Sequence, residues 1–95
     1  MDNYLNNQYQ KTLKFMITIR YFASLRDQLG CGQEQLPWQN QLSTVSAIKQ
    51  HLAAQDNRWQ TITTVLVAVN QQMANDNTMI NDGDEVAFFP PVTGG

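Results

Sequence analysis

The sequence predicts a small α+β domain, and three observations carry that prediction. Ile17, Ile19 and Tyr21 alternate with more polar neighbours between Met16 and Phe22, the period-2 signature of a half-buried strand. Val45, Ile48 and Leu52 recur at i, i+3 and i+7 behind Ser43-Thr44, which is the apolar stripe of an amphipathic helix with a capping residue in front of it. Val65-Leu66-Val67-Ala68-Val69 and the run from Glu85 to Phe89 add strand-like segments beyond that helix. Strands on both sides of one main helix pack most simply as a sheet with the helix on one face.

Taken in order, Met1 to Lys14 (MDNYLNNQYQKTLK) is rich in Asn, Gln and Tyr and has no apolar period. Residues 1–15 are therefore expected to form a disordered or loosely attached extension, residues 16–89 the domain, and residues 90–95 a tail. After the first strand, Ser24 is expected to cap a short helix running to about Leu29, which Gly30-Cys31-Gly32 ends. A brief strand from Gln33 to Leu36 precedes Pro37. Ser43 or Thr44 caps the main helix, Val45 to Gln55. The almost continuous aliphatic run Val65 to Val69 is expected to be buried on both faces at the centre of the sheet. A short strand from Thr78 to Ile80 then leads to Asn81-Asp82-Gly83-Asp84, which has the composition of a tight turn, and to the last strand, Glu85 to Phe89.

Composition narrows the function. A chain of 95 residues with 42% hydrophobic content supports one core and no second domain. With net charge −2 and only six Lys and Arg, there is no basic patch for a phosphate backbone, so nucleic acid is not an expected partner. Cys31 is the single cysteine, so neither an intrachain disulfide nor an all-cysteine metal site can form, and the chain fits a reducing cytoplasm. No apolar run approaches the roughly 20 residues of a membrane span, and no membrane partner is expected.

The residues that could do chemistry have plainer explanations. His51 has no second histidine or cysteine at ligand spacing, and is expected to be a partly packed surface residue. Asp82, Asp84 and Glu85 lack the alternating ligands of a calcium loop, and Gly83 accounts for the turn. Trp38 and Trp59 are expected to anchor core or rim. Phosphate-loop and nucleophile-elbow motifs are absent, as is any convincing nucleophile–base pair. The chain is expected to have no catalytic machinery of its own, no metal and no bound cofactor.

One reactive group stands out, the carboxylate of Gly95. Pro90 and Pro91 lack the N–H of a sheet ladder and favour extended geometry, so residues 90–95 should leave the sheet as a tail. At about 3.3–3.6 Å per residue it could reach about 20 Å, enough to enter another protein's active site. Gly94 and Gly95, without Cβ atoms, suit a narrow channel. Ordering six residues costs about 1–2 kcal/mol each, so a partner must bury a few hundred Å² of apolar surface, at about 25 cal/mol per Å², or form hydrogen bonds. Phe89, Pro90, Pro91 and Val92 could supply much of that surface.

The segment GDEVAFFPPVTGG (Gly83 to Gly95), with His51-Leu52-Ala53-Ala54-Gln55, Arg58-Trp59 and Ala68-Val69-Asn70, closely resembles the small, sulfur-carrying subunit of molybdopterin synthase. The likeness covers about Met16 to Gly95. It implies a β-grasp (ubiquitin-like) fold, a mixed sheet wrapped around the helix near Val45 to Gln55. It further implies that an adenylating enzyme of the ubiquitin-activating type uses ATP to activate Gly95, that sulfur replaces AMP, and that the Gly95 thiocarboxylate enters the active site of a large catalytic subunit. There it would donate sulfur to cyclic pyranopterin monophosphate. On this reading Gly94 gives access, Val92 and Thr93 line the inserted segment, and Phe22 and Phe89 fall where the family has aromatic residues near the partner. Phe22 is equally open to core packing, and Arg26 to being either a partner contact or a plain surface cation. Family members begin near Met16, so the resemblance assigns residues 1–15 no role. Three alternatives stay open: a thiazole-synthesis sulfur carrier, a ubiquitin-like modifier joined to lysines through Gly95, and a β-grasp binding module that needs no free terminus.

Overall fold

The computed structural model describes residues 15–91. The expectations for residues 1–14, and for Val92, Thr93, Gly94 and Gly95 in the tail, lie outside the described residues. The elements are β1 (Met16–Tyr21), α1 (Ser24–Leu29), β2 (Gln33–Pro37), α2 (Val45–Gln55), β3 (Leu66–Val69), β4 (Gln72–Ala74) and β5 (Glu85–Phe89), with 3-10 turns at Asn40–Leu42 and Asn57–Thr61. They form one five-stranded sheet in the order β2-β1-β5-β3-β4. β1 runs parallel to β5 and antiparallel to β2, and β3 is antiparallel to both β5 and β4, so the sheet is mixed, as the β-grasp expectation requires.

Alternation along each strand divides the sheet into two faces. Ile17, Ile19 and Tyr21 of β1, Leu36 of β2, Val67 and Val69 of β3, and Val86 and Phe88 of β5 form one buried cluster with Val45, Ile48 and Leu52, the stripe predicted for α2. Leu25 and Leu29 of α1, Trp59, Leu42 and Ile80 complete it. Thr44 is the cap of α2: its Oγ1 accepts from the Ala47 N–H at 3.1 Å, satisfying one of the four free donors at the helix start.

Four local expectations need correction. The cap of α1 is Ala23, at φ 55° and without a side-chain bond, and Ser24 is the first helical residue. Ala23 is held there because buried Tyr21 and Leu25 lie on either side of it, while the Phe22 N–H donates to Phe88 O and the Leu25 N–H donates to Phe22 O. The central strand is β5, not β3. Val86, Ala87 and Phe88 are all buried, whereas β3 alternates, with Leu66 and Ala68 half-buried on the far face and Val65 outside the strand. Strand β4 was not expected. Asn70 and Gln71 adopt φ 50° and 68°, the two positive values of a two-residue type I′ hairpin turn, though the second position is Gln rather than the usual Gly.

Finally, Thr78 to Ile80 makes a single bridge, Thr44 to Met79, and no strand. Its backbone instead brackets the start of α2, with the Val45 N–H donating to Thr78 O and the Ile80 N–H to Ser43 O. The turn before β5 is as expected. Gly83 sits at φ 88°, the Asp84 N–H donates to Asn81 O, and the Asn81 N–H donates to Asp84 Oδ2 at 2.7 Å.

Candidate functional site

Among the described residues, no helix lies over the second face of the sheet. In register, Arg20 of β1 lies opposite Ala87 of β5, Ala87 opposite Ala68 of β3, and Ala68 opposite Met73 of β4, giving one row across four strands. In the next row Phe89 lies opposite Leu66, and Phe22 stands one step beyond the Tyr21–Phe88 pair on the neighbouring parallel strand. The result is an apolar surface of Phe22, Phe89, Leu66, Ala87, Ala68 and Met73, in which Phe22 is 42% and Met73 67% exposed. Large exposed apolar residues gathered on one sheet face mark a contact surface.

Its edge is rigid because of what lies beneath. Tyr21, Trp59 and Phe88 form an aromatic cluster inside the domain, with ring centroids 5.4 to 6.3 Å apart. Tyr21 immediately precedes Phe22, and Phe88 immediately precedes Phe89, so the buried cluster fixes the two strand ends from which the outer aromatics project. The Tyr21 hydroxyl donates to Glu34 Oε2 at 2.6 Å. Burial, and then this bond, push the phenol pKa well above its ordinary value. A further anchor sits at the far end of β5: the Asn70 N–H donates to Glu85 O, Asn70 Oδ1 accepts from the Glu85 N–H, and Asn70 Nδ2 donates to Asp84 Oδ1.

Of the residues proposed from sequence, Phe22 and Phe89 meet on this face, and Pro90 and Pro91 follow directly from its edge, Pro90 half-buried and Pro91 exposed. Val92, Thr93, Gly94 and Gly95 lie outside the described residues. Arg26 is exposed on α1, away from the face, its stem so close to Gly32 that a Cβ there would stand 3.0 Å from Arg26 Cδ. His51 and Cys31 are half-buried, and Trp59 is a core residue. Among the described residues no three His, Cys, Asp or Glu side chains gather as a metal site, and no helix is long and apolar enough to cross a membrane.

Sequence reasoning missed Leu66, Ala68, Ala87, Met73 and Arg20. The signal for Leu66 and Ala68 was their alternation with Val67 and Val69, hidden because all four residues are aliphatic. Met73 belonged to a strand that was not expected.

A second charged constellation lies off this face. Arg58 grips Asp56 in a fork, Nη2 to Oδ2 at 2.8 Å and Nε to Oδ1 at 3.0 Å. The hydrogen bonds from Arg58 hold the Asp56 carboxyl below its usual range, and the Asp56 side chain raises the guanidinium in turn. The same Arg58 crosses Gly30, where a Cβ would stand 2.9 Å from Nη1, so a side chain at this φ 75° position would be strained and would push the guanidinium aside. The fork joins the 3-10 turn to the end of α1 and serves the fold.

Comparison with known proteins converges on one family. The ThiS family profile matches residues 19–95. The molybdopterin synthase sulfur carrier subunit of Escherichia coli (strain K12) is 42% identical over 83 residues, covering 84% of this chain and 100% of that protein. Among solved structures, H. volcanii small archaeal modifier protein 1 superposes with a TM-score of 0.71 at 21% identity, covering 81% of this chain and 98% of its own. The protein–protein complex of subunits 1 and 2 of molybdopterin-converting factor from Helicobacter pylori 26695 contains a chain with a TM-score of 0.61 at 20% identity, covering 84% and 99% respectively. At such identities these two structures speak for the ubiquitin-like β-grasp fold alone. A profile match over most of the domain and 42% identity across the whole of one sulfur carrier subunit settle the affiliation, and the chain belongs to the ThiS family.

Proposed function

We propose that this chain is the sulfur-carrying subunit of a molybdopterin synthase, and that Gly95 carries the sulfur. The observation that carries the reading is the identity of 42% over the full length of the E. coli protein of that name, in a chain whose Gly83 to Gly95 segment ends in FFPPVTGG. The geometry supports it. Pro90 and Pro91 follow β5 at the edge of the open aromatic face, so a partner seated on that face would lie beside the point from which the chain continues toward Gly95.

The chemistry follows from the weakness of a carboxylate as an electrophile. An adenylating partner would join the Gly95 carboxylate to AMP with release of pyrophosphate from ATP; a persulfide held by another protein would then displace AMP to give an acyl disulfide, whose S–S bond a second thiol would reduce to free the thiocarboxylate. The thiocarboxylate left on Gly95 would enter the large catalytic subunit, give its sulfur to cyclic pyranopterin monophosphate, and return as carboxylate. This chain would contribute docking and delivery, binding no cofactor itself, while acid–base groups and the pterin pocket belong to the partner. ATP and reduced sulfur place such a cycle in the cytoplasm.

The test is reconstitution. Protein loaded with isotopically labelled sulfur, mixed with the large subunit and the pterin substrate, should yield labelled dithiolene product. Unlabelled product, or loss of the label as sulfide with the chain recovered in isopeptide-linked proteins, would contradict the proposal.

A further inference from the structure

We infer that Arg20 is a specificity residue of the docking face, there to meet a carboxylate on the partner. The inference rests on the docking reading above. Among the described residues, Arg26, Lys49 and Arg58 all sit on helical elements, which leaves Arg20 as the one cation of the open sheet face. It stands at the margin of the apolar surface, between Ala87 of β5 and Gln33 of β2 in register, with its guanidinium carbon 5.5 Å from the centroid of the Phe22 ring. One nitrogen, Nη1, reaches Glu85 Oε2 at 3.2 Å, and the two side chains are 43% and 28% exposed.

In the free protein, water satisfies what remains of a guanidinium with five donors. Once a partner covers the face, that water is gone. An ion pair moved out of water loses more than it gains unless its remaining donors find acceptors. The long Arg20–Glu85 contact uses one donor, so the outward edge of the guanidinium needs a second acceptor across the interface. The planar fork of arginine fits a carboxylate best. The Phe22 ring, 5.5 Å from the guanidinium carbon, attracts the cation and restricts its range, which lowers the cost of ordering it on binding. A partner of the same kind that offers an apolar or basic group at this point would bury an unpaired charge, so Arg20 selects among otherwise similar partners.

The experiment is a titration of the cognate large subunit with wild type, Arg20→Gln, Arg20→Lys, the double variant Arg20→Gln/Glu85→Gln, and Phe89→Ala, each first checked for an unchanged melting temperature. We expect Arg20→Gln to weaken binding at least tenfold, Arg20→Lys to recover part of that loss, and the double variant to stay as weak as Arg20→Gln. Wild-type affinity should also fall with added salt more steeply than that of Arg20→Gln. Restored affinity in the double variant would show that Arg20 only neutralises Glu85, and would overturn the inference. Unchanged affinity for Arg20→Gln beside a loss for Phe89→Ala would overturn it while leaving the docking reading intact. Unchanged affinity for both would remove the docking reading itself. Should Arg20→Gln melt early, Arg20→Lys and the salt dependence of the wild type decide the matter, and salt-independent binding equal for both would overturn the inference.

Discussion

The two faces of this sheet are made by the same strands and differ in almost every other respect. On the inner face Ile17, Ile19 and Tyr21 are at most 1% exposed and contribute to one cluster with α2. On the outer face the next residue along, Phe22, is 42% exposed, and among the described residues no element covers the row of Arg20, Ala87, Ala68 and Met73. On the proposed docking reading, the difference means that stability and recognition occupy alternate positions of one strand. Substitutions a single residue apart should therefore separate them.

The sharpest way to break that comparison is the neighbouring pair on β5. Phe88→Ala empties a fully buried site in the aromatic cluster and is expected to cost about 3–5 kcal/mol of unfolding free energy, read from urea denaturation. Phe89→Ala, one residue on and facing outward, is expected to weaken binding of the large subunit by about 10–100-fold, which is about 1.4–2.8 kcal/mol, while costing the fold only about 1 kcal/mol. Equal stability losses for the two would erase the distinction between faces.

A smaller effect isolates the inner face by pH. The Tyr21 phenol has a raised pKa in the folded state, mainly from burial and then from its bond to Glu34, while in the unfolded chain it ionises near its ordinary value of about 10. The stability it contributes is therefore complete below about pH 10 and is lost as pH rises beyond it. Melting temperature should fall above that pH, and less steeply in a Tyr21→Phe variant. Parallel curves for the two proteins would count against this assignment. The smallest effect concerns the corner joining the faces. Ala23 at φ 55° is strained, so Ala23→Gly should keep or raise stability by up to about 1 kcal/mol, and a clear loss would show that the corner needs the methyl group.

Much of the fold was legible because local signals agreed with tertiary ones. The stripe of Val45, Ile48 and Leu52 and the alternation of Ile17, Ile19 and Tyr21 are simple periodicities, and both elements form as they imply. What failed was long-range. Which strand lies at the centre depends on pairing between β1 and β5, more than sixty residues apart by the Arg20–Glu85 contact, and no local pattern encodes it. Strand β4 was hidden because Gln72, Met73 and Ala74 have weak strand preference and form only against β3. The cap at Ala23 was hidden because tertiary burial on either side, not the residue itself, sets its backbone.

The site divides the same way. Phe22, Phe89 and the two prolines could be found from sequence through a family likeness, whereas the role inferred for Arg20 needed the register that sets it at the margin of the apolar surface, beside Ala87 and over Phe22.

The most direct test of the account is the intact mass of the protein after incubation with an adenylating enzyme, ATP and a sulfur source, beside a variant lacking Gly95. A gain equal to one oxygen replaced by sulfur is expected in the full-length chain, and no gain in the shortened one, with both showing the same melting temperature because, among the described residues, every buried core residue lies between Ile17 and Phe88. No gain in the full-length chain with a demonstrably active enzyme, or the same gain without Gly95, would contradict it.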